Sequence, residues 1–175
     1  MLIAIAALSR NFVIGVNGGD IPFRLPGDQK RFKHLTMGQN LVVGRPTHQS
    51  IVKHLKDPSS EPLKGRNKFV LSRDANYDAP HCRVITDWRE ILKRSRAGED
   101  FFIGGGGKIY ELFMPYIDRM YLSHVDVDIP NGDAFFPRFD PSMWRPFGDP
   151  LNMIAETDPR DEYKWHIADY ERCPL

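Results

Sequence analysis

The sequence predicts an α/β fold: a single domain in which helices cover both faces of a central, mostly parallel, twisted sheet. Short runs of almost purely apolar residues end in polar ones, which is typical of strands buried on both faces. Segments with apolar residues at helical spacing alternate with these runs, and extended segments near the C-terminus predict an antiparallel edge closed by a hairpin. A chain of 175 residues that is 41% hydrophobic has the size of one domain, spanning residues 1 to 175.

The first predicted element is a central strand, indicated by the apolar run at residues 2 to 8. Residues 15 to 28 contain six glycines and prolines, which predicts a long loop with a functional role. From Asp28 onward the acid, Phe32 and Leu35 recur at helical spacing, so Asp28 is expected at the apolar edge of a short helix. Four basic residues are expected on the other faces of this helix: Lys30, Arg31, Lys33 and His34.

Strands and helices continue to alternate through the middle of the chain. Buried strands are predicted at residues 41 to 44, 68 to 72, 83 to 85 and 101 to 103. Helices are predicted near residues 87 to 96 and around residues 109 to 113. After a strand at residues 121 to 125, extended segments around residues 151 to 157 and 163 to 171 form the predicted antiparallel edge.

Composition and charge favour a small-molecule partner. With 24 Lys and Arg against 23 Asp and Glu, the formal net charge is +1, which gives no electrostatic basis for binding nucleic acid or an anionic membrane. The N-terminal apolar run is too short to span a bilayer and lacks the features of a secretory signal, so we expect a cytoplasmic protein. The two cysteines, Cys82 and Cys173, are too few for a disulfide framework. The six histidines have no metal-ligand spacing, so no metal is expected. A monomer is the default expectation for the oligomeric state.

Three predicted strand ends carry groups that suit phosphate. The glycine run at residues 104 to 107 lies between a strand and a helix, where the backbone can approach a ligand closely. Its spacing is not that of the usual dinucleotide fingerprint, so a turn that merely needs positive φ is an equal alternative. The segment 44 to 47 has a proline suited to the first turn of a helix beside Arg45, and Ser72 and Arg73 end another strand. Together these ends favour a phosphate-bearing dinucleotide, although each arginine alone is more often a surface charge.

Asp28 is the sharper indication of a ligand site. A carboxyl at the edge of an apolar helix face, next to a loop able to cover it, should have a raised pKa. Such a group can hold a polar heterocycle by paired hydrogen bonds. The competing interpretation is a plain helix N-cap, because Asp is among the residues favoured at that position.

Taken in order, these segments resemble the dihydrofolate reductase family over nearly the whole chain. The N-terminal part resembles the family's first strand, mobile active-site loop and acidic helix at residues 5–8, 13–15, 21–28 and 32–33. The remainder resembles its G-R-x-T-x-x-S-I, G-R-x-N, L-S-R, glycine-turn and D-x-x-F-P segments at residues 44–51, 65–68, 71–73, 103–110 and 133–137. No single motif decides the resemblance, and the ordered set makes it specific.

The resemblance implies reduction of dihydrofolate by NADPH, with hydride passing from C4 of the nicotinamide to C6 of the pterin while water protonates N5. Asp28 is implied as the catalytic carboxyl that anchors the pterin's exocyclic amine and N3, with Ser123 bonding both the acid and the ring. Arg66 is implied as the partner of the α-carboxylate of the glutamate tail. The other substrate-binding positions that the resemblance implies are Ile5, Ala6, Phe32, Ile51, Leu63 and Tyr110.

For NADPH, the resemblance implies contacts to the nicotinamide and pyrophosphate and contacts to the phosphates. The first group consists of Ala7, Ile14, Gly105, Gly106 and Gly107. The second group consists of Arg45, Thr47, Ser72, Arg73 and Lys108, with Ser72 and Arg73 nearest the 2′-phosphate. The implied cofactor set is completed by Gly15, Gly44, Leu71 and Ile109.

The sequence departs from the family's pattern at the walls of the pterin and cofactor sites. Phe23 stands where Trp is usual, and Phe has no N–H to hold an ordered water. Gly104 replaces a bulkier aliphatic residue of the family's pterin site. Pro46 replaces a frequent basic residue near the 2′-phosphate of the cofactor. The loss of that basic residue leaves Arg73 as the main basis for preferring NADPH over NADH. We therefore expect altered affinity for antifolate inhibitors more than an altered reaction.

Two other functions remain open at this point. One is a reductase of another pterin or of a riboflavin-pathway pyrimidine, since such relatives resemble the cofactor half of the family. The other is a catalytically silent relative that binds folate or nucleotide as part of a scaffold, since a fold alone does not establish activity. Cofactor oxidation with and without substrate separates all three.

Overall fold

The computed structural model describes residues 1–57, 59–148 and 158–174, and its framework is an eight-stranded sheet. The strands within these residues are β1 (Leu2–Ser9), β2 (Val13–Gly15), β3 (Asn40–Gly44), β4 (Asn67–Leu71), β5 (Arg83–Ile85), β6 (Phe101–Ile103), β7 (Arg119–Val125), β8 (Ala134–Phe135), β9 (Trp144–Pro146) and β10 (Trp165–Arg172). The α-helices are α1 (Pro26–Thr36), α2 (Arg45–Lys53), α3 (Arg89–Arg96) and α4 (Gly107–Phe113). Single turns of 3-10 helix cover Met114–Tyr116 and Pro141–Met143.

The strand order of the large sheet is β5–β4–β3–β6–β1–β7–β10–β9. Neighbouring strands from β5 to β7 are parallel, whereas β10 runs antiparallel to β7 and β9 runs antiparallel to β10. The predicted α/β class, with a mostly parallel sheet and an antiparallel edge, is confirmed. β1 lies inside the sheet because its apolar run can supply buried side chains to both faces.

The side chains of β1 alternate between the two faces of the sheet, as the pleat requires. Ala4 and Leu8 pack in a core that also contains residues of α3 and α4. Ile3 and Ile5 pack in a second core, against apolar residues of α1. Helices therefore cover both faces, as predicted. In the described part of the chain, no helix is both long and apolar enough to cross a membrane.

Some elements have the predicted bounds and others do not. The strands expected at residues 83 to 85 and 101 to 103 agree with β5 and β6. α1 begins at Pro26, so the long loop covers residues 16–25 and is shorter than expected. Proline fits there because the first helical residue needs no N–H donor.

The antiparallel edge has a different composition from the predicted one. β10 covers most of the expected segment 163 to 171, but its outer partner is β9, with Glu171 opposite Arg145. The expected extended segment 151 to 157 lies outside the described residues. β9 was not predicted because a three-residue strand carries too little periodicity to be recognised.

A second sheet of two strands joins β2 to β8, with Val13 opposite Phe135. Asp133, just before β8, donates its N–H to the Gly15 carbonyl at 3.1 Å. Its carboxylate accepts from the N–H of Gly18 at 2.7 Å. The start of the 16–25 loop is therefore held by the segment that resembles D-x-x-F-P.

Candidate active site

Asp28 is the third residue of α1, and its side chain is partly buried. The N-cap of the helix is Leu25, whose apolar side chain makes no capping hydrogen bond. The alternative interpretation of Asp28 as the N-cap is therefore wrong. The neighbouring group is Ser123, which is fully buried on β7 opposite Ala7 of β1. The two strands are parallel, and both residues lie near the carboxyl ends of their strands. This is the edge at which α/β sheets usually bind ligands.

The environment of Asp28 raises the pKa of its carboxyl. Burial is the largest cause, because it disfavours the charged form. A hydrogen bond from Ser123 and the charge of Arg31 lower the pKa, and the charge of Asp161 raises it. Burial prevails, and the predicted direction is confirmed. A carboxyl of this kind can exchange its proton or accept paired hydrogen bonds from a heterocycle.

Several predicted substrate residues lie together beside α1. Ile5, Phe32 and Leu63 belong to the core on this face of the sheet. The Arg66 guanidinium lies over the Phe32 ring, 5.6 Å from its centroid. Its Nε donates to Thr36 Oγ1 at 3.1 Å, which fixes the plane of the guanidinium. The structure thus combines an apolar wall with a positioned cation.

Two further predicted substrate residues, Ala6 and Ile51, are half-buried on β1 and α2. Tyr110 is buried on α4, and its hydroxyl donates to the Ile5 carbonyl at 2.6 Å. Burial and then the charge of Asp28 raise the pKa of Tyr110 well above its ordinary value, so the hydroxyl keeps its proton. Tyr110 therefore ties α4 to β1 at the inner end of the site.

The glycine turn lies between β6 and α4, as predicted. Gly105 has φ +100°, and its carbonyl accepts from the Gly44 N–H at 2.7 Å. The peptide between Gly105 and Gly106 is cis. A Cβ on Gly106 would lie 3.2 Å from Thr47 Oγ1, and one on Gly44 would lie 2.8 Å from the Ile109 side chain. The end of β3, the first turn of α2 and the glycine turn therefore meet at one place.

The remaining predicted cofactor residues surround this meeting point on the strand ends and in the loop. Arg45, Arg73 and Lys108 are exposed, and the Arg45 guanidinium lies 5.9 Å from the centroid of the Tyr77 ring. Ser72 is buried, and its Oγ accepts from the N–H of Asp74 at 3.1 Å. The half-buried or buried positions Ala7, Ile14, Gly15, Leu71 and Gly107 complete the set.

The 16–25 loop is also held at its far side. The Asp20 carboxylate accepts from Ser50 Oγ at 3.1 Å and from Lys53 Nζ at 3.2 Å, both on α2. Phe23 is buried in a small core together with Leu25 and residues of β7 and β10. The loop therefore spans from β8 to α2 across the carboxyl ends of the strands.

Arg31 corrects the prediction that the basic residues of α1 lie away from Asp28. Its side chain is only 13% exposed, and Nη2 donates to both carboxylate oxygens of Asp169 on β10, at 2.6 and 2.8 Å. Nη1 donates to Ser123 Oγ at 3.4 Å. The signal that could have indicated this placement is the spacing of three residues from Asp28, which puts both side chains on one side of a helix.

The histidines lie away from this group. His124 stacks on His166, with ring centroids 5.3 Å apart, on the face of β7 opposite to that of Ser123. His48 is buried, and its Nδ1 is 2.8 Å from the Tyr77 hydroxyl. Among the described residues, no group of three or more His, Cys, Asp or Glu side chains is placed to hold a metal ion.

Asp161, which the sequence analysis did not single out, stabilises the start of α1 from a distant segment. Its carboxylate accepts from the Gly27 N–H at 2.8 Å, from Trp165 Nε1 at 2.9 Å and from the Asp158 N–H at 2.9 Å. It satisfies one of the backbone donors that a helix start leaves free. It also replaces the cap that Leu25 cannot supply.

We expect Asp161→Ala to lower the free energy of unfolding by about 1.5 kcal/mol, because a helix cap and a partner of a buried indole are lost together. Urea denaturation measures this change. Asp140→Ala is the matched control, since Asp140 accepts from Ser142 N–H in an exposed turn. Because Asp140 caps only a single exposed turn of 3-10 helix and has no buried partner, its expected cost is about 0.5 kcal/mol, the low end for a lost cap. Equal costs for the two variants would contradict the capping role of Asp161.

Comparisons with known proteins agree with this arrangement. The family model described as dihydrofolate reductase matches residues 1–172. Dihydrofolate reductase type 3 of Salmonella typhimurium is 36% identical over 171 residues, covering 97% of this chain and 96% of that protein. The dihydrofolate reductase of Bacillus subtilis is 30% identical over 172 residues, covering 98% and 95%.

A solved structure is also similar over almost the full length. It is a dihydrofolate reductase from Enterococcus faecalis complexed with NADP(H) and RAB-propyl, with a TM-score of 0.84 and 31% sequence identity. The match covers 99% of this chain and 97% of that one. Since the family model and these relatives span both the sheet and the strand ends that carry the site, this chain belongs to the dihydrofolate reductase family.

Proposed function

We propose that this chain reduces 7,8-dihydrofolate to 5,6,7,8-tetrahydrofolate with NADPH. The observation that carries the proposal is a partly buried carboxyl, Asp28, beside the buried hydroxyl of Ser123, at the same edge of the sheet as the glycine turn. One end of this region suits a polar heterocycle and the other suits a dinucleotide. Membership of the family, and a relative complexed with NADP(H), support the same assignment.

In this proposal the pterin lies against Asp28, which accepts hydrogen bonds from the exocyclic amine and N3. Ser123 bonds to both the acid and the ring. Phe32, Leu63 and Ile51 line the pterin and benzoyl pocket, with the backbone near Ile5 at its inner end. Arg66 pairs with the α-carboxylate of the glutamate tail, and its existing bond to Thr36 reduces the entropy lost on binding.

The residues at the glycine turn fit NADPH. At Gly44, Gly105 and Gly106 a Cβ would meet neighbouring atoms at 3.2 Å or less, so bare backbone is needed where these segments converge. The exposed cations Arg45 and Arg73 suit phosphates, with Ser72 and Arg73 nearest the 2′-phosphate. The other cofactor positions proposed are Ala7, Ile14, Gly15, Thr47, Leu71, Gly107, Lys108 and Ile109.

The cofactor supplies a hydride from its nicotinamide C4 to C6 of the pterin, and N5 takes a proton from water. The chain's own part is to hold the ring and to exclude bulk water. Asp28 orients the ring and, as a carboxylate, favours positive charge on it, which raises the basicity of N5. We place no proton donor of the protein at N5.

The antifolate affinity of this site is proposed to differ from that of relatives with a bulky residue at position 104. A Cβ on Gly104 would lie 3.0 Å from Leu41 Cδ1 and 3.3 Å from Val43 Cγ1, so these side chains occupy the space beside the turn. We expect a diaminopyrimidine inhibitor to bind about tenfold more weakly than to such a relative, the equivalent of a few lost apolar contacts. An inhibition constant equal to that of the relative would contradict this expectation.

We also propose that the enzyme acts in the cytoplasm and as a monomer. Cys82 and Cys173 are free thiols, which a reducing compartment preserves.

The test is the loss of absorbance at the NADPH band when dihydrofolate is added to the purified chain. Turnover with NADPH and dihydrofolate, and much slower turnover with NADH, support the proposal. Oxidation only with another pterin or a riboflavin-pathway pyrimidine would assign the chain to a different reductase. Tight binding of NADPH and folate without oxidation would identify a silent relative.

A further inference from the structure

The helix that carries Asp28 also carries a nearly buried ion pair. Arg31 lies one turn after Asp28, and its Nη2 bonds to both carboxylate oxygens of Asp169, at 2.6 and 2.8 Å. The two side chains are only 13% and 16% exposed. An ion pair on the surface contributes little and exchanges with water, whereas a pair this enclosed keeps its geometry and its field.

The same guanidinium reaches the partner of Asp28. Nη1 of Arg31 donates to Ser123 Oγ at 3.4 Å, and Ser123 is fully buried. A serine hydroxyl has one proton and two lone pairs. Because Arg31 donates to one lone pair, the proton and the second lone pair of Ser123 stay available to the Asp28 carboxyl and to a bound ring.

The charged and polar groups that face Asp28 come from five parts of the fold. Arg31 faces it from α1, Asp161 from the segment before β10, and Tyr110 from α4 as a neutral hydroxyl. β7 contributes the Ser123 hydroxyl, and Asp169 on β10 reaches Asp28 through Arg31. Of the described groups that act on the Asp28 carboxyl, Arg31 alone is positive.

We infer that Arg31 and Asp169 form a positioning pair for the proposed reaction: Arg31 orients the Ser123 hydroxyl and favours the ionised form of Asp28, while Asp169 limits how strongly Arg31 does so. The part that concerns the substrate rests on the proposed function. The part that concerns Asp28 and Ser123 is a property of the ligand-free protein.

Substitutions of Arg31 and of Asp169 are expected to change the pKa of Asp28 in opposite directions. Arg31→Met removes the positive charge beside Asp28, which favours the protonated form of Asp28 and raises its pKa. Burial also raises the pKa of Asp169, so without Arg31 that carboxyl is favoured in its neutral form and adds no negative charge. Asp169→Asn leaves Arg31 charged without its counter-ion, which lowers the pKa of Asp28. In the double variant both charges are absent, and the pKa lies between those of the single variants. A merely structural role for the pair predicts no such difference in sign.

The experiment is a carbon-13 NMR titration of the aspartate carboxyls in the ligand-free protein, with Asp28→Asn used to assign the Asp28 signal. The Asp28 titration midpoint is expected to rise by about one pH unit in Arg31→Met and to fall by about half a unit in Asp169→Asn. Lys33→Met is the matched control, because Lys33 is an exposed cation on the same helix. The Asp28 midpoint in Lys33→Met is expected to equal that of the unmodified chain. If Arg31→Met does not fold, the neutral and polar Arg31→Gln replaces it and should raise the midpoint in the same direction.

Turnover assays on the same variants separate this inference from the proposed function. Arg31→Met and Arg31→Lys are expected to raise KM for dihydrofolate about tenfold, since each loses the bond that orients Ser123. If the Asp28 midpoint moves in opposite directions in Arg31→Met and Asp169→Asn but the unmodified chain shows no turnover, the pair is supported and the proposed function is rejected. Displacements of the same sign, or none larger than in Lys33→Met, overturn the pair even if the chain turns over dihydrofolate.

Discussion

Asp28→Asn is expected to lower turnover of dihydrofolate by about a thousandfold at neutral pH, the loss that follows removal of one preorganised electrostatic group. The amide keeps the size of the carboxyl and remains able to bond to the ring, but it carries no charge to balance a protonated N5. The variant therefore depends on substrate that is already protonated in solution. Its turnover should rise as the pH falls, toward that of the unmodified chain.

The loss of turnover is not expected to come from unfolding. The pKa of Asp28 is raised in the folded chain, so its ionised form opposes folding above the ordinary pKa of the acid. Asp28→Asn removes this cost and should be at least as stable as the unmodified chain at neutral pH in thermal denaturation. Asp140→Asn makes the same charge change at an exposed turn and should leave turnover unaltered. A fall of less than tenfold in Asp28→Asn at neutral pH would count against the proposed role.

Gly105→Ala is expected to lower the free energy of unfolding by about 3 kcal/mol and to weaken NADPH binding at least tenfold. At φ +100° an L side chain is strained. The added Cβ would also lie 2.9 Å from the Tyr110 ring, which is fixed by its bond to the Ile5 carbonyl. The turn has to shift, and the carbonyl that pairs with Gly44 shifts with it.

Thermal denaturation and a fluorescence titration with NADPH measure the two effects, and the melting temperature should fall by roughly 10 °C. Gly104→Ala is the control in the same turn. Its φ is not in the left-handed region, and its Cβ would meet Leu41 Cδ1 at 3.0 Å and Val43 Cγ1 at 3.3 Å, which requires a displacement of a few tenths of an ångström. Its expected cost is below about 1 kcal/mol. A comparable loss in both variants would show that the glycine run is sensitive as a whole and that Gly105 has no special role.

The sequence predicts the strands that are buried on both faces, because residues 2 to 8 and 101 to 103 are recognisable from apolarity alone. Short strands that form only through their partners are different. β8 has two residues and pairs with β2, and β9 has three residues and pairs with β10. Neither has enough residues to show a period, so tertiary pairing decides their conformation.

The candidate site divides in a similar way. Helical spacing places Asp28 beside Phe32 on α1, and the glycine run between strand and helix indicates the turn. The partners Arg31 and Asp169 are 138 residues apart, and a long-range ion pair leaves no local pattern in either segment. Asp161 bonds to the start of α1 across a separation of 134 residues. Such contacts require the register of β10 against β7, which the sequence does not specify.

The contacts of β10 and its preceding segment have a consequence for how this enzyme can evolve. Asp161 raises the pKa of Asp28, Asp169 is proposed to act on that pKa through Arg31, and neither is among the residues proposed to touch a ligand. Substitutions in this C-terminal region can therefore change the pH range of activity while the binding surface stays intact. Natural variation there offers the lineage a route of adaptation to new acidity that leaves substrate recognition unaltered.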